Sequence, residues 1–344
     1  MELKHRQILS AQVDLSKFNK ANFEKATDEE KKQQDVMGES TTFFKDGMRR
    51  LRKNPLAMGS IIVLVLILLT IIIAPHVCPY KYSEIISVNG VRDKSAANLG
   101  PFEYSKLETK YMNETGEKLF PHIFGTDSLS RDYFIRVIYG TRVSLSVGVV
   151  ASIMVLIIGL LYGSIAGYFG GKVDMIMQRI VEILNSIPYL ITVTLLLLVM
   201  KPGLMSITFA LMFSGWLGMS RIARAEVLKL KEQEYVLASR TLGAKSFRII
   251  FKEILPNIFG PLITQTMFSI PHAIFTEAFL AFIGLGVPEP MASLGSLISS
   301  GYQNFTSHPY MIVFPLIVMG LLMLCFNMLA DGLRDALDPK MKDM

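Results

Sequence analysis

The chain has 344 residues, 51% of them hydrophobic, and a formal net charge of +6. A mean hydropathy of +0.40 is too high for an ordinary soluble domain and points to helices that are apolar all round, as in membrane spans. The positive balance is read as a topology signal with contact to anionic lipid heads, and nothing calls for nucleic acid as a partner.

Residues 1–42 are polar, with mixed charge runs such as Asp28-Glu29-Glu30-Lys31-Lys32. Such composition cannot bury a core, so a solvated cytosolic tail is expected. A membrane span needs about 20 mostly apolar residues. Six runs qualify: Leu56–Ala74, Thr141–Tyr168, Val181–Met200, Leu204–Ser220, Phe259–Gly284 and Tyr310–Ala330. The expected fold is an all-α polytopic membrane protein with six transmembrane helices. The first run, with its basic flank, is assigned residues 43–74. It begins too far along the chain to be a cleaved signal and should stay as an anchor. Residues 75–139 mix charges of both signs and are punctuated by Gly90, Gly100, Pro101, Gly116 and Pro121. They read as an elaborated extracytoplasmic loop. Residues 140–333 hold the other five spans, and residues 334–344 form a cytosolic tail.

In the second run Gly159, Gly163, Gly167 and Gly171 recur every four residues. That places them on one helix stripe, where a second helix can approach closely. A phosphate loop ending at Gly171-Lys172 is excluded, because Ala166 and Val173 stand where Gly and Ser or Thr are required. Lys201-Pro202-Gly203 makes a tight turn and suits an antiparallel pairing of the third and fourth runs. Glu182, Asn185 and Pro188 read as helix-entry and kink residues or as pore-side groups. Cys78 and Cys325 fall at different depths, too far apart to bridge, and neither has the neighbours of a metal site.

Orientation follows from Lys and Arg in the short loops. Lys45, Arg49, Arg50, Arg52 and Lys53 precede the first run, and eight basic residues from Arg221 to Lys252 lie between the fourth and fifth. The loop Val287–Pro309 has none. Both termini are therefore expected in the cytosol, with Val287–Pro309 outside.

The polar segment between the fourth and fifth runs, EYVLASRTLGAKSFRIIFKEILPNIFGP from Glu234 to Pro261, is too charged to lie in lipid. The fourth span should continue as a helix beyond Ser220, since good helix formers dominate SRIARAEVLKLKEQ. Tyr235, Leu237, Ala238 and Leu242 then give a compact apolar surface. Gly243 permits a left-handed turn, Ser246 is placed to cap a helix over Phe247–Leu255, and Pro256 marks the entry to the fifth span. Composition alone also allows a solvated loop touching lipid heads.

The word order resembles the "EAA" signature of ABC importer permeases, in which a Gly is followed twelve residues later by Leu-Pro, as Gly243 is by Leu255-Pro256. Leu237, Ala238 and Ser239 stand at the Glu-Ala-Ala positions and Glu253 at the usual Ile, so only Ala238 and Gly243 match the core. The wording is closer to the peptide/nickel subfamily. FGTDSLSRDYFIRVIYGTRVSLSVG before the second run, TEAFLAFIGLGVPEP in the fifth and LADGLRDALDPKMK near the end resemble that subfamily's second permease subunit, with Ser130 and Ala330 replacing its usual glycines. The likeness runs from about Phe43 to Lys342.

The resemblance implies a type I importer permease fold (MetI-like) with a cytosolic coupling helix. It assigns Glu234, Tyr235, Leu237, Ala238, Ser239, Leu242, Gly243, Ala244 and Lys245 to contact with an ATPase. It implies a homologous permease completing a heterodimeric pore, two ATP-binding subunits carrying ATP and Mg, and an extracytoplasmic substrate-binding protein. The chain itself would bind no cofactor or metal and have no catalytic residue. Its place would be the cytoplasmic (inner) membrane of a prokaryote, and its cargo oligopeptides or dipeptides. Nickel, metallophore or glutathione import shares the scaffold. A stand-alone secondary carrier is the alternative from another class. An intramembrane protease is disfavoured, because no HExxH helix motif is present.

Ionisable groups inside a span face a bundle interior or a wet cavity. His272 and Glu277 are five apart on neighbouring faces of the fifth run. They are candidates for the translocation path or its gate, with a buried interhelical hydrogen bond as the alternative. In PEPMASLGSLISSGYQNF, which resembles the family's re-entrant segment beside the external gate, Met291 and Leu294 join them. With Leu297 and Ile298 they space a short interfacial helix, unless the stretch is a plain surface loop. Asp331, Arg334, Asp335 and Asp338 should pair on the last helical turn.

Overall fold

The computed structural model describes residues 43–337, so the expected tail 1–42 and the last residues of the C-terminal tail lie outside the described residues. Helix α1 (Phe43–Lys53) carries Arg49, Arg52 and Lys53 on its exposed side. From Asp46 onward the chain packs as one unit. Asn54 then caps α2 (Pro55–Val77), its side chain accepting from the amides of Leu56 and Ala57 at 3.1 and 3.2 Å. Pro55 opens that helix, where its missing N–H costs nothing.

The packed domain, residues 78–132 within the stretch read as an elaborated loop, belongs to the same compact unit as the bundle. It contains a two-residue hairpin, β1 (Ser87–Val88) paired with β2 (Val91–Arg92), and a helix, α3 (Lys106–Thr115). Ser105 and Glu108 close the helix start with a reciprocal capping box. At the centre His122, fully buried, places Nε2 3.0 Å from Glu108 and Nδ1 2.7 Å from Asp132. Its ring stacks on Tyr80 at 4.7 Å. Ser105 also bonds the Asp93 carboxylate. The sequence shows these residues as scattered charges, but in the fold they are one buried network.

Asp132 ties the domain to the bundle, because it also caps α4 (Tyr133–Phe169), accepting from Ile135 N at 3.0 Å. The helix thus starts ahead of the expected boundary at residue 140. The charges that disguised its entry are neutralised locally: Arg131 and Arg136 both meet Asp127, at 2.7 and 3.3 Å.

The expected third span is broken. Helix α5 (Gly171–Asn185) and helix α6 (Tyr189–Met200) meet at 81°. Pro188 cannot donate a helical hydrogen bond, and α6 has only 12 residues, about 18 Å of rise. Helix α7 (Leu204–Leu230) continues past Ser220 as expected. Arg224 forks onto Asp174 through two contacts of 2.5 Å, holding α5 against α7. A short helix α8 (Glu234–Thr241) follows.

Helix α9 (Ser246–Leu285) is continuous, where separate pieces divided at Pro256 were expected. Its first turns widen into a π-helical stretch, Ile249–Ile254, which accommodates the ring and missing donor of Pro256. Ser246 lies inside the helix, and Lys245 is the cap position. A second π-helical turn, Ala281–Leu285, ends the helix with Gly284 at φ 86°. Helix α10 (Leu294–Gln303) has a capping box of Ser293 and Ser296 and buries Leu294 and Leu297. Helix α11 (Tyr310–Leu337) returns along α2, where Gly332 lies against Ala57. Among the described residues no ion pair joins Arg334 to Asp331 or Asp335, and Asp338 lies outside them.

Among the described residues four helices, α2, α4, α9 and α11, are long and apolar enough to cross a membrane, and the bent α5–α6 pair makes a fifth if it counts as one span. Helix α7 is 27 residues long but is not in that set, because Ser206, Thr208, Ser214, Gly215, Gly218 and Ser220 dilute its apolar run. Helices α4 and α7 pack along the glycine stripe. A Cβ at Gly159 would lie 2.6 Å from Met219, one at Gly167 would lie 2.9 Å from the Arg224 carbonyl, and one at Gly163 would strike the Ser220 carbonyl. The two cysteines are free and buried.

Candidate functional site

The polar segment lies at the end of the bundle opposite the packed domain, where α4 and α7 finish and α9 begins. Its shape follows from one anchor and one turn. Val236 is fully buried among Val227, Ile249, Ile250 and Ile254. The turn is a Schellman motif: Ala244 N donates to Ser239 O at 3.1 Å and Gly243 N to Arg240 O at 3.0 Å, with Gly243 at φ 80°. A side chain at that φ would be strained.

With Val236 turned inward, the remaining apolar residues point to water. Tyr235 and Leu237 are each 40% exposed, Leu242 87% and Phe247 73%. Phe247 stacks on Phe251 with ring centres 4.4 Å apart. Glu234, Ala238 and Lys245 are exposed beside them, while Ser239 and Ala244 are half-buried. Arg240 reaches back over the Tyr168 ring at 5.6 Å, fixing α8 to the end of α4. The result is a rigid, protruding apolar knob on a charged background. Such a surface is suited to docking another protein.

Sequence reasoning missed Val236 and Phe247. Its apolar surface named Tyr235, Leu237, Ala238 and Leu242 without the anchor. The alternation of Tyr235, Val236 and Leu237 does not reveal which one is inside in a helix of two turns.

The second feature is a cleft of about 380 Å³ midway along the bundle. Helix α4 contributes Ala151, Ser152 and Val155, α6 contributes Tyr189, and α7 contributes Leu211, Ser214 and Gly215. From α9 come Gln265, Phe268, Ser269, His272 and Ala273. No Asp, Glu, Lys or Arg lines it. The Ser152 hydroxyl has no partner among the described residues. Gln265, Ser269 and His272 follow one another at helical spacing, a polar stripe legible in the sequence once the helix register is known.

Of the four candidates for a path or gate, only His272 lines this cleft. Glu277 is fully buried elsewhere, accepting from the Ser144 hydroxyl at 2.7 Å, and that same hydroxyl accepts from Leu294 N at 3.0 Å. Leu294 is fully buried beside them. Met291 packs against the cluster of Val193, Leu197 and Val287. Glu277 and Leu294 thus join α4, α9 and α10, which is the interhelical hydrogen-bond alternative.

The bundle thus carries a protruding knob at one end and a neutral cleft in the middle. Residues 159–343 match the family described as binding-protein-dependent transport system inner membrane component. Residues 42–101 match the N-terminal TM domain of oligopeptide transport permease C. The oligopeptide transport system permease protein OppC of Bacillus subtilis (strain 168) is 43% identical over 307 residues, 89% of this chain and 93% of that one. The dipeptide transport system permease protein DppC of the same organism is 43% identical over 304 residues, 88% of each chain. OppC of Escherichia coli (strain K12) is 37% identical over 88% of this chain and 93% of its own length. A chain of the inward-facing MetNI methionine ABC transporter shares the fold, with a TM-score of 0.50 at 20% identity over 60% of this chain and 97% of that one. The chain therefore belongs to the family of binding-protein-dependent transport system inner membrane components. It is a multi-pass inner membrane protein.

Proposed function

We propose that this chain is the permease subunit of an ABC importer that carries oligopeptides or dipeptides across the cytoplasmic membrane. It pairs with a homologous permease, two ATP-binding subunits that hold ATP and Mg, and an extracytoplasmic substrate-binding protein. Residues 231–245 face the cytosol with both termini, and the packed domain 78–132 lies outside. Helix α7 and the bent α5–α6 pair complete six crossings.

The observation that carries this reading is the knob of Leu242 and Phe247, 87% and 73% exposed and held rigid by buried Val236. Large apolar side chains clustered and fixed in water by a Schellman turn mark a surface suited to a protein partner. An ATP-binding subunit seated there would feel α7 and α9 directly, since both helices enter the segment. Glu234, Tyr235, Leu237, Ala238, Ser239, Ala244 and Lys245 form the surroundings of that contact. The cleft favours peptides: hydroxyl, amide and imidazole groups can pair with any peptide backbone, and the absence of fixed charge in its lining selects no particular side chain. Kinship with OppC and DppC points the same way.

The test is assembly with the neighbouring subunits in proteoliposomes. Leu242→Asp and Phe247→Asp should each lower copurification of the ATP-binding subunits at least tenfold and abolish peptide uptake. Val91→Asp, at an apolar residue 65% exposed on the hairpin, should do neither. Uptake by the chain alone without nucleotide would refute the reading, and uptake of nickel complexes or glutathione in place of peptides would refute the cargo.

A further inference from the structure

Gly100 to Glu103 form a tight turn on the packed domain. Glu103 N donates to Gly100 O at 3.1 Å, and Gly100 N donates back to the Glu103 carboxylate at 2.8 Å. Pro101 stands second in the turn and Phe102 third, at φ 63°. A type II turn has this pattern, and its third residue is ordinarily Gly or Asn. A further bond, from Phe102 N to the His122 carbonyl at 2.7 Å, ties the turn to the buried network. Three hydrogen bonds thus hold a bulky aromatic in the left-handed region, where such residues are strained.

The strain gains nothing inside the domain. Phe102 is 64% exposed, whereas every other Phe and Tyr of residues 78–132 is at least half-buried. Gly would make the same turn without strain and would leave no apolar ring in water. Backbone strain that its surroundings over-determine collects at sites of contact. Neither the knob nor the mid-bundle cleft uses this turn.

Position and neighbours indicate the partner. Thr126 N donates to Leu99 O at 3.0 Å, and Tyr310 Oη donates to the Thr126 carbonyl at 2.8 Å. The turn therefore follows directly on the layer of chain that seats the start of α11, at the end of the bundle away from the knob. A membrane surface fits poorly. Segments that dip among lipid heads set Lys or Arg beside their apolar residues, and the neighbour of this ring is Glu103, itself exposed. A soluble protein fits well. Aromatic side chains are the usual anchors of an interface, and a backbone already fixed loses little freedom on binding.

Resting on the function proposed above, we propose that Phe102 is an anchor by which the packed domain engages the substrate-binding protein. Its ring enters an apolar socket on that partner, and the turn holds it ready.

Binding of the purified substrate-binding protein to the assembled transporter in nanodiscs tests this, with peptide uptake measured alongside in proteoliposomes. Phe102→Gly relieves the turn, so protease resistance of the packed domain should hold or rise. Its affinity for the binding protein should nevertheless fall at least about tenfold. Phe102→Trp should retain the affinity, and Val91→Asp on the hairpin should change neither quantity. Unchanged affinity in Phe102→Gly, beside normal uptake by the wild type, would overturn this proposal alone and leave the proposed function standing. Absence of binding-protein-dependent uptake by the wild type would overturn both. A joint fall of affinity and protease resistance in Phe102→Gly would make the ring a structural residue and overturn the proposal. So would quenching of the added Phe102→Trp emission by brominated phospholipid, unrelieved by the binding protein, since the ring would then lie in the membrane.

Discussion

Ser144 donates its hydroxyl proton to the carboxylate of Glu277 across 2.7 Å inside the bundle. The same oxygen accepts from Leu294 N at 3.0 Å, so one small side chain serves three helices. Ser144→Ala should remove a donor and an acceptor from fully buried partners. The expected loss is about 1–3 kcal/mol for the groups left unpaired, seen as a lower melting temperature in detergent. Ser146→Ala, whose hydroxyl only returns to the Arg142 carbonyl on its own helix, should have little effect.

Gly163 separates two backbones. Gly163→Ala should cost about 1–3 kcal/mol by overpacking, because the new methyl would meet the Ser220 carbonyl and Ala223. Gly59→Ala supplies the contrast. Nothing lies within 4 Å of that position, and a helical Gly replaced by Ala gains about 0.5–1 kcal/mol. Thermal unfolding of the two purified variants should therefore shift in opposite directions.

The turn at Gly243 gives a graded series. Its φ of 80° suits Gly, is tolerated by Asn, and costs other residues about 1–2 kcal/mol. Peptide uptake should fall in the order wild type, Gly243→Asn, Gly243→Ala, while the amount of protein in the membrane stays level. Equal uptake by all three would show that the shape of this turn does not matter for coupling.

The domain 78–132 should have a pH optimum. Burial alone would depress the His122 pKa, but the flanking Asp132 and Glu108 carboxylates outweigh it and raise the pKa to about 9 from 6.5. The folded domain therefore holds that proton more tightly than the unfolded chain. This stabilisation is complete below about 6.5 and is lost as pH rises through 9. Glu108 shifts the other way. Burial opposes ionisation, but hydrogen bonds from His122 and Ser105 lower its pKa below 4.5, so its contribution is present above 4.5 and is lost as pH falls. Protease resistance of the domain should peak between those limits and decline toward pH 9. In His122→Ala the alkaline decline should disappear.

Much of the bundle could be read from residue order, for identifiable reasons. Helix α2 and α11 up to Phe326 are almost wholly apolar, so length and hydropathy were sufficient. The glycine stripe needed only the helical repeat, and the contacts of Gly159, Gly163 and Gly167 with α7 follow from it. Pro188 could be read as a kink residue, but the 81° size of the break could not, because the apolar run resumes directly after it. The entry of α4 was hidden because Arg131, Asp132 and Arg136 look solvent-exposed until Asp127 and His122 are folded against them. Glu277 and His272 looked alike as polar groups in an apolar run. Only the rotation of α9 separates the one that faces Ser144 from the one that faces the cleft.

Helix α9 runs from Ser246, beside the Schellman turn, through its π-helical turns and past His272 to the kink at Gly284. Forty residues of helix reach about 60 Å, more than the hydrocarbon thickness. Such a rod cannot be nudged at one tip alone: a tilt of about 5° displaces the opposite tip by roughly 5 Å. Movement imposed on the knob would thus arrive, as leverage, at the segment that holds Glu289 against Arg131 at 3.2 Å, on the far side of the membrane.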